Sequence, residues 1–318
     1  MGSENACIST SNLISIPPSI CRCMKKNICS PLHTLALVAV CLSLTSTARS
    51  EQESGKHFIW RVTNAPQPFY VLGSIHQLRK SDYPLPKVME DVAKQVQTML
   101  FEYDPGQENT FARLLYDGAH YPRGHTMQSK VHPETFAYLM KMFKKSHMNF
   151  NRYSELKPWA IAISMFEVPG FKGVRFAEGV DDHFYEKACA EHKKMGGLES
   201  PAAHVGVFSG MSDEESEVVL LRAIIYGDNE SEEFKQSVAA WKAGDTKRLW
   251  DIDTRFRVES PSIHKRLIEN RNVAWIPRIE EAIKAGKPTL VIAGANHFCG
   301  PQGVPALLQA KGYKLEQL

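Results

Sequence analysis

Two short apolar segments, near either end of residues 55–318, each run into a Gly-x-x-His turn. Segment 69–72 precedes the turn that ends at His76, and segment 288–293 precedes the turn that ends at His297. After each turn the pattern predicts a helix and another strand, over about 86–97 and 98–101, and over about 304–311 and 313–318. This order predicts an α/β fold with a mixed, partly parallel sheet flanked by helices, built around two similar strand–turn–helix–strand units.

The rest of the chain predicts one domain with a largely helical middle. Segments 58–61 and 69–72 are predicted to form a hairpin, and strand, helix and strand over 69–101 predict a parallel pair with a right-handed crossover. Further helices are predicted over 133–145, 158–166, 181–193, 213–226, 232–243 and 262–285. The Phe- and Met-rich stretch 136–150 is interpreted as core packing rather than as a substrate groove. No low-complexity linker interrupts residues 55–318.

Polar side chains follow three of the predicted strands at the point where each strand ends. His76 and His297 close the two turns, and Glu102 follows the strand between them. Ligands collect at the carboxyl ends of parallel strands, and Gly73 and Gly294 allow the backbone to turn sharply there. An imidazole serves as a metal ligand or as a general base near neutral pH, and a carboxylate completes a metal shell or orients a histidine. One histidine after a strand is more often structural, but the repeated motif favours a functional site.

The predicted helix over 262–285 contains two polar residues on an apolar stripe. Ile268, Trp275, Ile279 and Ile283 share one face, and Arg271 and Asn272 interrupt it. A buried guanidinium is costly unless it is paired, so Arg271 is expected to meet a carboxylate or an anionic group at the site. A purely structural ion pair is the equally weighted alternative.

Residues 24–48 have the three parts of a secretory signal peptide. Two lysines follow Met24, an apolar run extends over 32–44, and small residues lead to a predicted cleavage site after Ala48. The run is too short to span a bilayer comfortably, so no permanent membrane anchor is expected. The sequence predicts an exported protein, periplasmic or secreted, with residues 1–23 as an untranslated or dispensable upstream segment. A genuine start at Met1 would instead leave the apolar run in the mature chain.

Charge, motif content and cysteine usage exclude several classes. Residues 1–50 hold four basic residues and one acidic residue, and the remaining chain has 34 of each, so no nucleic-acid partner is indicated. The chain lacks His-Glu-x-x-His, Gly-x-Ser-x-Gly, Walker and Gly-x-Gly-x-x-Gly motifs, which argues against zincins, ordinary serine esterases and nucleotide-binding proteins. Only Cys189 and Cys299 lie beyond residue 50, too few for a disulfide framework, although one bridge between them stays open.

Short motifs occur in one characteristic order along residues 55–318, at 70–76, 83–86, 101–104, 157–159, 179–181, 197–199, 241–245, 269–272, 294–297, 300–303 and 312–313. Their shared order resembles the TraB/GumN family, which includes the TIKI metalloproteases and the pheromone-shutdown proteins. The resemblance implies a fold similar to the erythromycin esterase and ChaN-like proteins. The family's proposed catalytic or metal-binding histidines and glutamate correspond to His76, His297 and Glu102.

The same resemblance extends the predicted site. The Arg and Asn of the Glu-x-Arg-Asn motif correspond to Arg271 and Asn272, and two further acidic positions correspond to Glu199 and Asp181. The leading hypothesis is a metal-dependent hydrolase of peptide or small acyl substrates, with manganese, cobalt or zinc held by His76, Glu102 and His297. The alternatives are a metal-free histidine–glutamate hydrolase and a non-catalytic protein that captures a peptide signal.

Overall fold

The computed structural model describes residues 55–167, 179–226 and 232–318. The predicted upstream segment 1–23 and signal segment 24–48 lie outside these residues. Six strands form one sheet: β1 (Ile59–Val62), β2 (Phe69–Ser74), β3 (Thr98–Tyr103), β4 (Lys194–Glu199), β5 (Thr289–Gly294) and β6 (Leu315–Gln317).

Helices make up most of the rest of the described chain. They are α1 (Lys87–Gln95), α2 (Glu108–Ala119), α3 (Pro133–Lys145), α4 (Pro158–Glu167), α5 (Val180–Ala190), α6 (Pro201–Ser209), α7 (Asp213–Tyr226), α8 (Glu232–Lys242), α9 (Thr246–Ile252), α10 (Thr254–Glu259), α11 (Pro261–His264), α12 (Asn270–Lys284) and α13 (Val304–Ala310). The α/β class, the mixed sheet and the helical middle are confirmed.

The sheet order is β4-β3-β5-β2-β1-β6. Strands β4, β3, β5 and β2 run parallel, whereas β1 pairs antiparallel with both β2 and β6. The predicted hairpin of β1 and β2 is confirmed, but the predicted direct pairing of β2 with β3 is wrong. Strand β5, from the far end of the chain, lies between them, and its continuous apolar run is buried at every position, as is typical of a parallel strand covered on both faces. The carboxyl ends of β2, β5 and β3 therefore lie side by side.

Two hydrophobic cores support this arrangement. The larger packs the strands against α1, α5 and α12, with Leu72, Met99, Phe184 and Trp275 fully buried. The smaller lies in the helical middle, among α3, α4 and α7. Phe143 and Phe150 are buried in this second core, which confirms that the aromatic-rich stretch is core packing.

The helix predicted over 262–285 is one continuous helix that consists of three segments. Helix α11 is followed by a π-helical segment, Lys265–Glu269, and then by α12. The wider π turn shifts the register by one residue, which sequence periodicity does not reveal, and such segments are frequent at functional sites.

Within the described ranges, no helix combines the length and apolarity that a membrane crossing requires. No disulfide joins Cys189 to Cys299. Burial raises the pKa of Cys299 to about 12, so this thiol is neutral at physiological pH and poorly reactive.

Candidate active site

The backbone of Gly294, the last residue of β5, is the point at which the predicted site residues converge. A Cβ atom built at this glycine would lie 3.0 Å from His76 Nε2, 3.5 Å from Glu102 Oε1 and 3.6 Å from His297 Cδ2. The Gly294 N–H also donates a hydrogen bond to Glu102 Oε1, at 2.8 Å. Side chains from the ends of three neighbouring strands thus share a space that any residue other than glycine would fill.

His76 stands at the open side of this space. Its Nδ1 lies 3.1 Å from Asp181 Oδ2, and 61% of its side chain is exposed. Helix α5 brings Asp181 there: Val180 N donates to Ile75 O at 2.9 Å, and a Cβ at Gly179 would lie 2.3 Å from the His76 carbonyl oxygen. The Asp181 carboxylate raises the pKa of His76 above its ordinary value, although solvent screening limits the effect on such an exposed ring.

His297 is buried on the opposite side, with 3% of the residue exposed. The Asn272 amide nitrogen donates to the carbonyl oxygens of His297 and Gln302, at 3.2 and 2.8 Å, so its Oδ1 accepts from His297 Nδ1, at 2.6 Å. This network assigns the proton to Nδ1 and leaves Nε2 as an acceptor, which lies 3.3 Å from Arg271 Nη1. Burial lowers the pKa of His297 to about 3, so the ring is neutral at physiological pH.

Arg271 is the buried cation of the site, as expected from the interrupted stripe. Its Nη2 donates to Glu102 Oε2 and to Glu199 Oε1, both at 2.6 Å, and its Nη1 lies 3.3 Å from His297 Nε2. Burial opposes the ionisation of Glu102, but the Arg271 guanidinium holds the pKa of that carboxyl well below its usual range. The π segment contributes directly, because Leu267 O accepts from Arg271 Nη1 at 3.3 Å.

The structure adds one residue that the sequence did not predict, His204 of α6. Its Nδ1 donates to Glu199 Oε1 at 2.8 Å and lies 4.0 Å from Glu102 Oε2. The preceding strand β4 has the sequence Lys-Met-Gly-Gly-Leu-Glu, in which two glycines hide the strand pattern. The helix start at Ser200-Pro201, a capping serine followed by proline, was the available signal for α6.

The predicted residues therefore occupy one site, with Asp181, Glu199 and Asn272 around it. Gly73 acts differently from Gly294: a Cβ there would lie 2.8 Å from the Phe58 ring, so it permits close packing behind β2 rather than lining the site. Its carbonyl oxygen accepts from Trp241 Nε1 at 2.8 Å.

Three ligand-type side chains in the described part of the chain could hold a metal ion, namely Glu102, Glu199 and His204. Arg271 Nη2 lies within 2.6 Å of both carboxylates and 3.1 Å from His204 Nδ1, so a guanidinium nitrogen already fills the space that these three groups enclose. This trio does not fit a metal ion while Arg271 is in place.

The metal ligands predicted from the sequence, His76, Glu102 and His297, are examined by the chemistry and orientation of their donor atoms. His76 Nε2 and Glu102 Oε1 border the space above Gly294, and both histidines have their Nδ1 atoms held by oxygen acceptors. An imidazole so oriented presents Nε2 as a ligand, and imidazole with carboxylate suits first-row divalent metals. The donor types of His76, Glu102 and His297 suit such an ion, but Arg271 contacts this set as well, at 2.6 Å from Glu102 Oε2 and 3.3 Å from His297 Nε2. Within the described residues, the group whose ligand atoms lie within 4.8 Å of one another contains Glu102 but neither His76 nor His297.

Comparison with known proteins tests the family resemblance. The model of the TraB/PrgY/gumN family matches residues 58–317, which confirms the family resemblance. The uncharacterized protein YbaP of Escherichia coli is 23% identical over 261 residues, covering 80% of this chain and 94% of that protein. An uncharacterized protein of Treponema pallidum is 21% identical over 297 residues, covering 86% of each chain. No solved structure matches the chain.

Proposed function

The chain belongs to the TraB/PrgY/gumN family, and we propose that it is an exported hydrolase of peptide or similar acyl bonds. The observation that carries the proposal is the convergence of two imidazoles and a carboxylate on Gly294. Each imidazole is fixed through Nδ1, and Arg271 adds a buried positive charge beside them. Oriented bases next to a fixed cation are the groups that acyl transfer to water requires.

In the favoured form of this proposal, His76, Glu102 and His297 would hold a divalent ion such as manganese, cobalt or zinc. When bound, such an ion lowers the pKa of a water molecule and so supplies a nucleophile near neutral pH. Asp181 and Asn272 keep the two imidazoles in the orientation that ligation needs. Arg271 keeps Glu102 ionised and places positive charge where an oxyanion would develop.

A metal-free hydrolase is the second candidate, and one observation favours it. The surroundings of the two histidines push their pKa values apart, since Asp181 raises the pKa of His76 and burial lowers that of His297. Opposite protonation states suit an acid and a base acting in one reaction. His297 would accept a proton from the attacking water at Nε2, which requires that nitrogen to exchange its Arg271 Nη1 contact for the water, and protonated His76 would donate one to the leaving group.

The test compares purified wild-type chain with His76→Ala, His297→Ala and Glu102→Gln. His125→Ala is the control, because His125 is exposed and outside the site. A peptide library is incubated with each protein, with added manganese, cobalt or zinc or with chelator, and cleavage is read by mass spectrometry. We expect the three site variants to lose activity by at least about 100-fold and the control to keep it.

Metal analysis of the same proteins separates the two candidates. Stoichiometric metal in the wild type, reduced in the site variants, supports the metal-dependent form. Chelator-resistant cleavage by metal-free protein selects the second candidate. Intact peptides under every condition contradict a peptide hydrolase, and tight binding of an intact peptide would identify a capturing protein instead.

Export is proposed on the signal pattern of residues 24–48. Protein recovered from outside the cytoplasm is expected to begin at Arg49, as read by N-terminal sequencing. A chain that remains in the cytoplasm with its apolar run intact would contradict export.

A further inference from the structure

Four ring side chains form a continuous group beside the charged centre; we call Tyr103, Phe111, His204 and Phe208 the aromatic wall. The Tyr103 and Phe111 rings stack with their centroids 4.2 Å apart and their planes 9° apart. The His204 ring lies 5.1 Å from Tyr103 and 5.8 Å from Phe111, and Phe208 lies 6.3 Å from His204. Three separate elements, β3, α2 and α6, contribute these rings.

The aromatic wall is continuous with the proposed active site. The register partner of Tyr103 on the neighbouring strand β4 is Glu199, which pairs with Arg271. The nitrogen edge of His204 faces the charged centre, with Nδ1 2.8 Å from Glu199 and 3.1 Å from Arg271 Nη2. A group bound against these rings would therefore lie one side chain away from the space above Gly294.

The rings of the aromatic wall are not completely buried in the protein interior. Tyr103, Phe111 and His204 belong to neither hydrophobic core, and Phe208 lies only at the margin of the second. All four side chains are partly buried and retain accessible surface. Aromatic side chains beside a polar centre are the usual composition of a site that binds part of a ligand by apolar contact.

The charges nearby indicate what the aromatic wall would accept. Glu102 and Glu199 are both bonded to Arg271, so neither carboxylate is left to pair with a cationic side chain. An anionic side chain would meet the same two carboxylates. An uncharged, bulky group avoids both conflicts and would bury apolar surface against the rings.

We propose that the aromatic wall is a specificity subsite, which binds a large apolar or aromatic side chain of the substrate next to the bond that is cleaved. This inference rests on the proposed hydrolase function and names its substrate preference: peptides, or similar acyl compounds, with a residue such as Phe or Leu beside the scissile bond.

The first test uses two peptides that differ only by Phe or Ser beside the scissile bond. The wild type is expected to favour the Phe peptide by about tenfold or more in kcat/KM, as for other hydrophobic pockets. Phe111→Ala should lose this preference through a higher KM for the Phe peptide, with the Ser peptide changed less than about twofold. The control is Tyr116→Ala on the same helix, whose exposed ring contacts His120 and lies outside the aromatic wall.

Phe111→Leu gives a second variant in case the alanine variant folds poorly, and it should keep part of the preference. Equal kcat/KM for the two peptides in the wild type would overturn the subsite while leaving the hydrolase proposal intact. The same conclusion follows if Phe111→Ala lowers both activities equally.

A binding measurement separates the subsite from catalysis altogether. N-acetyl-phenylalanine amide should bind the wild-type chain more tightly than N-acetyl-alanine amide, as seen by NMR titration, and Phe111→Ala should abolish the difference. Selective binding without any peptide cleavage would support the subsite and contradict the hydrolase. Identical binding of both amides to the wild type would contradict the subsite.

Discussion

The two Gly-x-x-His turns end in histidines whose surroundings are opposite. The His76 side chain is 61% exposed and faces a carboxylate, whereas that of His297 is 4% exposed and faces an amide. Both rings are nevertheless held through Nδ1 and border the space above Gly294, His76 with Nε2 and His297 with Cδ2. The shared motif thus sets the backbone and the direction of the ring, and residues from distant segments set its charge.

The difference has a structural origin. Asp181 reaches His76 from the first turn of α5, at the solvent-exposed side of the site just beyond the carboxyl end of β2. Asn272 reaches His297 from α12, inside the main core and next to the Arg271–Glu102–Glu199 cluster. The stability of the fold should therefore tolerate substitution in the exposed half of the site, whereas it should not tolerate substitution in the buried half.

The largest expected effect is on the buried half. Arg271→Met leaves Glu102 and Glu199 buried without their cation, which we expect to lower the free energy of unfolding by about 3–5 kcal/mol. Arg255→Met is the matched control, because its partner Glu259 is 55% exposed, and it should cost less than about 1 kcal/mol. Urea denaturation measures both. Equal losses would show that the buried cluster is no more important to stability than a surface pair.

The next effect concerns the point where the two halves meet. Gly294→Ala places a methyl group 3.0 Å from His76 Nε2 and should displace that ring, with a loss of about 100-fold in the proposed hydrolysis. Gly206→Ala is the control, since a Cβ there has no atom within 4 Å. His76 ring signals in NMR give a second readout that does not need turnover. An unchanged His76 spectrum in Gly294→Ala would refute the convergence on Gly294.

A third experiment gives the His297 ring a carboxylate partner like that of His76. The NMR signals of His297 should show a neutral ring from pH 7 down to about pH 4, because its pKa is about 3. Asn272→Asp puts a carboxylate against Nδ1, which favours the charged ring and should raise the pKa of His297 toward its ordinary value. Asn64→Asp, at the far surface hairpin, should leave His297 unchanged. A neutral His297 at pH 4 in Asn272→Asp would contradict the role given to the amide.

Local patterns predicted the histidines, Glu102 and the polar pair on α12 because each interrupts or ends an apolar segment. The periodicity of 58–72, 86–101 and 288–318 likewise predicted seven elements close to their observed bounds. These features depend on residues near one another in sequence. The family resemblance added Asp181 and Glu199, which lie in segments with no such signal.

Contacts between segments that are distant in sequence could not be predicted from local patterns. The insertion of β5 between β2 and β3 joins segments from opposite ends of the described chain, and no local pattern records that pairing. His204 depends on β4, whose glycines weaken the strand signal, and on a hydrogen bond to Glu199 that forms only after folding. The π segment before Arg271 shifts the register by one residue, and a 3.6-residue period does not reveal that shift.

The smallest expected effect is on the exposed half, and its sign differs from that of the buried half. Folding raises the pKa of His76, so its pair with Asp181 stabilises the chain fully below about pH 6.5 and loses this contribution as pH rises through the folded value. Because the ring is mostly exposed, Asp181→Asn should lower the free energy of unfolding by less than about 1 kcal/mol at pH 6, and by less still at high pH. Folding lowers the pKa of His297, so the buried ring destabilises the chain as pH falls below about 6.5 instead. Urea denaturation of wild type and Asp181→Asn across this range measures the first trend. A stability difference that grows with pH would show that the Asp181 pair does not depend on a protonated His76.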